Sequence, residues 1–278
     1  MDNKKEDFAV FILTHGRPNN VITKKTLDRC GYTGKIFYVI DNEDKTIDEY
    51  IKNFGIENVK IFDKKTMADK IDEGNNFDER RTITHARNAC FEIAKELDIK
   101  YFIELDDDYY YFGYRGEKGA VKISNINKVF KTFVEFLKNS KCKTIAFSQG
   151  GDHIGGFSGL KLKRKAMNSF ICSTDNDFRF IGSMNEDVNT YTTLSSRGFL
   201  FFTFTGVQLD QKDTQSQNSG ITDMYLLYGT YCKSFTTVMM MPSSVKVSMM
   251  NSRTSPRLHH SIKWKNTTPM IIDDRYKK

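Results

Sequence analysis

The sequence predicts an α/β protein built on a mixed, mostly parallel sheet flanked by helices, and three observations predict it. Short continuous apolar runs alternate with stretches of helical periodicity through the first half of the chain, as parallel strands buried on both faces require. The first two runs end in polar strand-to-helix turns. Among 278 residues, 22 Phe and 13 Tyr fall mostly inside the periodic stretches and supply a packed core.

Taken in order, Phe8 to Leu13 and Ile36 to Ile40 are strands, with a helix between them opened by Pro18 and closed near Gly31. Ile47, Tyr50, Ile51 and Phe54 have helical spacing, and Val59 to Phe62 makes a third strand. Asp63 to Arg80 is polar and reads as a functional loop. Ala86, Ala89, Cys90, Ile93, Ala94 and Leu97 form one helical stripe, and the strand Tyr101 to Leu105 follows and runs into Asp106-Asp107-Asp108. A helix from Ile126 to Leu137 leads to the strand Thr144 to Ser148.

From Gly150 the texture changes. A glycine-rich loop (150–159) and the basic run Lys161 to Lys165 precede a helix from Asn185 to Ser196 and a strand from Phe199 to Phe204. Gln208 to Gly220 reads as a loop, and Thr222 to Tyr231 as a helix with Met224, Leu227, Tyr228 and Tyr231 facing inward. The tail from Met250 to Lys278 is basic with little periodicity. With no repeat and no clean linker, residues 1–278 are expected to form one domain in two functional halves.

Several classes are excluded. So aromatic a chain is not a disordered tail. No apolar stretch approaches the ~20 residues that cross a bilayer, and Met1 to Asp7 lacks a secretory hydrophobic core, so a cytoplasmic protein without a membrane partner is expected. The five cysteines stand far apart without a C-x-x-C pair, which suits reduced core residues. The net charge of +7 permits a polyanionic partner.

The acid triplet is the sharpest chemical feature, because ligands of open α/β sheets bind beyond the carboxyl ends of the strands. Three adjacent carboxylates repel one another unless a cation sits among them, and hard oxygen ligands suit Mg2+ or Mn2+. A solvated turn is the bland alternative. Arg87 and Asn88 lie in the first turns of the preceding helix, where Arg87 could reach a diphosphate or both could simply face water. Thr14-His15-Gly16-Arg17-Pro18 and Asp41-Asn42 end strands on the same sheet edge, where Gly16 would allow close backbone approach and Asp41 would accept hydrogen bonds from a ribose or base. Neither a Gly-x-Gly-x-x-Gly after the first strand nor a Gly-Lys-Ser/Thr loop exists. Glu186 and Asp187 open a helix either as dipole partners or as a general base. His259 and His260 could complete a metal shell or lie exposed.

This ordered set resembles a nucleotide-sugar glycosyltransferase of the GT-A fold: the Thr14 to Pro18 loop, Arg87-Asn88, the Asp-x-Asp of Asp106 to Asp108, the acidic element at Asn185-Glu186-Asp187 and a late histidine. More narrowly, Leu13-Thr-His-Gly-Arg-Pro18 with Leu105-Asp-Asp-Asp-Tyr109 resembles the TET/JBP-associated glycosyltransferases, found largely in bacteriophages and thought to place sugars on hydroxymethylpyrimidines of DNA.

The resemblance implies a nucleotide-sugar half (1–149) and a less regular acceptor half (150–278), working in the host cytoplasm if phage-encoded. It implies that Thr14, Gly16, Arg17, Asp41, Arg87, Asn88, Asp106 and Asp107 bind a UDP-sugar, that Asp106, Asp108 and His259 or His260 hold Mn2+ or Mg2+, and that Asp187, or else Glu186, deprotonates the acceptor. The aromatic stretch Tyr109 to Tyr114 is then either core or a stacking surface for a flipped base, Lys161 to Lys165 and the tail would track DNA, and Trp264 either stacks on a ligand or anchors the tail. The alternatives are the same fold acting on protein, lipid or polysaccharide, and a non-enzymatic nucleic-acid-binding protein.

Overall fold

The computed structural model describes residues 7–72, 80–153, 160–161, 166–211, 221–229, 231–251 and 256–268. In chain order it runs β1 (Phe8–Leu13), α1 (Ile22–Arg29), β2 (Lys35–Asp41), α2 (Ile47–Phe54), β3 (Val59–Phe62), α3 (Lys64–Ala68), α4 (Thr84–Glu96), β4 (Tyr101–Asp106), β5 (Tyr109–Gly116), β6 (Gly119–Lys122) and α5 (Ile126–Lys138). It continues with β7 (Cys142–Ser148), β8 (Leu160–Lys161), β9 (Ser169–Ser173), α6 (Glu186–Ser196), β10 (Leu200–Gln211), α7 (Ile221–Tyr228), α8 (Cys232–Met240), β11 (Val245–Asn251), β12 (Pro256–Ile262) and α9 (Trp264–Thr267).

The expected mixed α/β architecture is present. A ten-stranded sheet has the order β3-β2-β1-β4-β9-β7-β10-β5-β6, with β8 beside β10. β3, β2, β1 and β4 are parallel neighbours, as are β7 and β10, whereas β9 runs antiparallel between β4 and β7. β1 shows why the parallel runs are apolar throughout. Val10 and Ile12 pack on one face with Ile103, Leu105 and the α5 residues Phe130 and Phe133. Ala9, Phe11 and Leu13 pack on the other with Phe102, Phe91 of α4 and Val188 of α6. Each such buried side chain contributes about 1.5–3 kcal/mol. The α5 stripe Ile126, Val129, Phe130, Phe133, Val134 and Leu137 is buried as its spacing predicts, and Asn125 caps the helix by accepting from the Lys128 amide at 3.3 Å.

The register decides where chemistry can occur. Leu13 pairs with Val39 on one side and Asp106 on the other, so the carboxyl ends of β1, β2 and β4 lie side by side.

Other expectations are corrected. The first helix begins at Ile22 rather than at Pro18, and α3 occupies part of the polar segment after β3. β9 and the second half of β10, read as irregular chain and as loop, are strands. β10 pairs β7 to Phe204 and, past a register break, again at Gln208, and it runs antiparallel to β5 from Val207 to Gln211, so a distant partner makes this stretch extended. The aromatic stretch divides, with Tyr109 and Phe112 fully buried and Tyr110 and Tyr114 exposed. The tail forms the β11–β12 hairpin and α9, and Trp264 stacks on Tyr191 as an anchor, their rings 6.0 Å apart. Met224 is buried as expected, but Leu227, Tyr228 and Tyr231 face solvent, because the helix ends at Tyr228 and the chain turns into α8. All five cysteines are free; Cys30, Cys90, Cys142 and Cys172 are buried as expected, whereas Cys232 is only partly buried. Most of the glycine-rich loop and of the basic run, residues 212–220 and 269–278 lie outside the described residues.

Candidate active site

The acid triplet is held from below by α1. The Thr23 amide donates to the Asp107 carbonyl at 3.0 Å, and its hydroxyl donates to the Asp106 carbonyl at 2.5 Å while accepting from the Tyr109 amide at 2.9 Å. This backbone clamp turns the three carboxylates in different directions. Asp107 is buried and points to the β1 turn, accepting from the Thr14 hydroxyl at 2.7 Å and from Arg17 Nη1 at 3.0 Å. Asp106 accepts from Arg87 Nη2 at 3.0 Å. Asp108 is half-buried, and burial together with the charges of Asp106 and Asp107 pushes its carboxyl up to about 7.

The β1 turn is equally well tied. Tyr50 Oη receives the Arg17 amide at 2.8 Å and lies 2.7 Å from the Thr14 hydroxyl, and the Gly16 amide donates to Asp44 at 2.7 Å. Gly16 has φ +66, a conformation that favours glycine, and an added Cβ would meet nothing within 4 Å. Asp41 is buried against His15 Nδ1 at 2.7 Å and Lys64 Nζ at 3.4 Å. Burial alone would raise the Asp41 carboxyl, but these two partners hold it below the ordinary range, and the same hydrogen bond raises the half-exposed His15.

Arg87 departs most from expectation. It does not face water, being 1% exposed with its guanidinium packed against the neighbouring rings of Phe170 and Phe180, 5.1 and 5.7 Å from their centroids. Around it stand Asp106 at 3.0 Å, Glu186 Oε1 at 3.1 Å and Glu104 Oε2 at 3.6 Å. A buried cation needs such partners, since an unpaired one costs several kcal/mol. Arg87 therefore brackets the end of β4 to the head of α6. Asn88, also expected at the ligand, is buried and occupied: it donates to the Phe180 carbonyl at 3.0 Å and accepts from the Phe180 amide at 2.8 Å.

At the head of α6, Asn185 is left-handed (φ 55), a conformation Asn tolerates, and it delivers Glu186 and Asp187 to the first turn. Both are buried, and Asp187 accepts from the Val188 amide at 2.7 Å. Burial, and then Asp187 beside it, raises Glu186 above the ordinary carboxylate range.

His259 and His260 do not join the triplet. Their rings pack 4.1 Å apart on β12, and His260 Nδ1 lies 3.4 Å from Asn185 Nδ2. Among the described residues, no group of three or more His, Cys, Asp or Glu side chains is arranged to hold a metal ion. Asp106 and Asp108 remain, and two carboxylates suit a hard divalent cation that takes its other ligands from water and phosphate. Motif reading did not single out His15, Tyr50, Lys64 or Glu104. His15 lies inside the quoted turn, whereas the other three are brought there by α2, α3 and β4.

The sequence matches the family described as TET-Associated Glycosyltransferase over residues 8–220. No curated protein matches it significantly. Among solved structures, glucosyl-3-phosphoglycerate synthase from Mycobacterium tuberculosis, in complex with Mg2+ and UDP, is similar with 8% identity and a TM-score of 0.48 over 92% of this chain and 87% of the other. A mannosyltransferase from Pyrobaculum calidifontis with GDP-mannose and Mn2+ shows 10% identity and a TM-score of 0.48 over 87% and 75% of the two chains. S. aureus TarS residues 1–349 with UDP-GlcNAc shows 12% identity and a TM-score of 0.43 over 83% and 66%.

Proposed function

Because the chain belongs to the TET-associated glycosyltransferase family, and so is a glycosyltransferase, we propose that it moves a hexose or pentose from a UDP-sugar to the hydroxymethyl group of a pyrimidine in DNA with the aid of Mn2+ or Mg2+. The observation that carries this reading is the Arg87 bracket. One buried guanidinium binds Asp106 at the mouth of β4 and Glu186 at the head of α6, so acids distant in sequence share one rim.

On the donor side, Asp108 and the open edge of Asp106 fit the cation: burial raises Asp108 first and the charges of Asp106 and Asp107 add to it, and a divalent ion relieves that repulsion. When bound, the ion stabilises charge on the departing diphosphate. Asp107 acts by tying the Thr14 to Arg17 turn to the triplet, and Asp41 with His15 lines the place of the nucleoside. On the acceptor side, Asp187 takes the proton of the hydroxymethyl oxygen as that oxygen bonds to the anomeric carbon and the bond from sugar to diphosphate breaks, releasing UDP. Glu186 is the carboxylate that holds Arg87, and Asp187 beside it is the proposed general base.

A panel of UDP-sugars incubated with Mn2+ and hydroxymethylated or unmodified duplex DNA, followed by mass spectrometry of the released nucleosides, tests the reading. Glycosylated hydroxymethylpyrimidine is expected only with the modified DNA. Transfer to peptide, lipid or polysaccharide with none to DNA would overturn the acceptor and leave the donor site standing. UDP-sugars that neither bind nor react would remove the donor site as well. Asp187→Asn should lower transfer by about 10²–10⁴-fold while UDP binding persists.

A further inference from the structure

The sheet register gathers three neutral amides around the acid triplet. Ser169 pairs with Leu105, the residue before the triplet, so Asn168 stands at the mouth of β4. Gln211 pairs with Tyr109, the residue after it, and Gln149 follows Ser148 at the end of β7. Their side chains meet: Gln211 Oε1 accepts from Asn168 Nδ2 at 2.8 Å and from Gln149 Nε2 at 3.4 Å. The Tyr109 hydroxyl donates to the Asn168 carbonyl and fixes the group against the triplet. All three amides are part-buried, and Gln211 Nε2, Gln149 Oε1 and Asn168 Oδ1 bond to no described residue. One donor group and two acceptors therefore remain for a ligand.

Their position indicates which ligand. In the strand order β2-β1-β4-β9-β7-β10, Asp41 and Thr14 lie on one side of Asp106 and the three amides on the other. A nucleotide that takes its cation at the triplet and its nucleoside at the β1 and β2 turns leaves the amide side to the acceptor. The same side leads toward Asp187. Asp152, in the turn Gly150–His153 after β7, accepts from the Gln149 backbone amide at 2.9 Å. Tyr191 on α6, its phenol raised first by burial and then by Asp187 and Asp152, stands in the field of both acids. A nucleobase carries donors and acceptors side by side on a flat edge, which carboxamides answer in kind, and enzymes that extrude a base read it by such bonds. A phosphate would find no cation among the three side chains.

We propose that Gln149, Asn168 and Gln211 form the acceptor-base subsite and read the polar edge of the extruded pyrimidine whose hydroxymethyl group meets Asp187. The inference rests on DNA as the acceptor. Cytosine and uracil differ on that edge, an amino group standing in place of a carbonyl and an unprotonated ring nitrogen in place of an N–H, so these amides set the preference between them.

Initial rates on duplex oligonucleotides carrying a single hydroxymethylcytosine or hydroxymethyluracil, with Mn2+ and the UDP-sugar that supports transfer, test the subsite, and circular dichroism checks the fold of each variant. Gln211→Glu keeps the oxygen to which Asn168 and Gln149 donate and replaces the remaining amino group by a second oxygen. It should change the ratio of kcat/KM between the two oligonucleotides by about tenfold or more, while KM for the UDP-sugar stays the same. Gln149→Ala should lower kcat/KM for the preferred base by about tenfold and gives the same ratio readout if the Gln211 change unfolds the chain. Variants that keep the wild-type ratio, whether fully active or slowed equally on both oligonucleotides, give the amides a structural role: the subsite is overturned and the DNA acceptor stands. A changed choice among UDP-sugars at unchanged base preference would assign the amides to the donor sugar and equally overturn the subsite. If the wild type binds UDP-sugar but transfers to neither oligonucleotide, the acceptor reading itself falls and takes this subsite with it.

Discussion

The rim at the ends of β1, β2 and β4 and the rim formed by α6, α8 and the β11–β12 hairpin are built on different principles. On the first, Asp41, Asp44, Asp106 and Asp107 each have a hydrogen-bond donor or cation within 3.0 Å, and the sheet register sets their spacing. On the second, the Asn185 side chain ties α8 to the head of α6 and Trp264 stacks on Tyr191, while large apolar side chains face water. The difference teaches that the first rim is preformed, its acids already held by donors, whereas the second leaves large apolar side chains uncovered. Preorganised donors lose little freedom on binding, while an open aromatic face gains its stabilisation only when covered.

The comparison can be broken most sharply at Asp108. Asp108→Ala removes a carboxylate that opposes folding, so the fold should survive while Mn2+-supported UDP binding and turnover fall by about a hundredfold or more. Measured by the melting shift with UDP and Mn2+, full retention would show that the preformed rim is not a cation site.

Arg87→Met attacks the bracket between the rims and leaves Glu104, Glu186 and Asp106 without their shared cation, costing about 3–5 kcal/mol in denaturant unfolding. Arg87→Lys should recover only part of this loss, because an ammonium cannot span the carboxylates as the planar fork does. A smaller effect belongs to Asn88→Ala. Stranding the buried Phe180 amide and carbonyl should cost about 1–3 kcal/mol, with donor affinity unchanged since Asn88 touches no open surface.

A pH dependence sharpens the same contrast. A carboxyl raised to about 7 in the folded chain binds its proton more tightly there than when unfolded, so metal-free stability is greatest below the ordinary carboxylate pKa near 4 and declines as pH rises toward 7. Asp108→Asn should lack this decline, which amounts to ~2–4 °C in melting temperature for each kcal/mol. Identical melting profiles of wild type and variant from pH 4 to 8 would remove the proposed charge excess.

Much of the first rim is legible in sequence because its parts are consecutive. A parallel strand buried on both faces must be continuously apolar, so the point where Leu105 gives way to three aspartates marks the edge of the sheet. The burial of Arg87 left a trace as well: it lies three and four residues before Cys90 and Phe91, both buried, on the inner face of α4. Other features left little trace. The strand Ser169–Ser173 is short and flanked by polar chain, and it is extended because β4 and β7 each offer it an edge. Tyr231 has a helical residue's spacing relative to Met224, yet the break after Tyr228 turned that spacing outward.

Local pattern alone determined the alternation of strand and helix, the acids at a strand end, the reduced cysteines and the family. Those depend on neighbours in the chain, whose periodicity and turn chemistry act over a few residues. Tertiary structure alone decided that Arg87 is buried among Glu104, Asp106 and Glu186, that His260 lies beside Asn185, and that Tyr231 and Phe235 stand in water. Whether a charge or a ring is buried is set by groups distant in sequence, and their positions follow from packing and not from spacing.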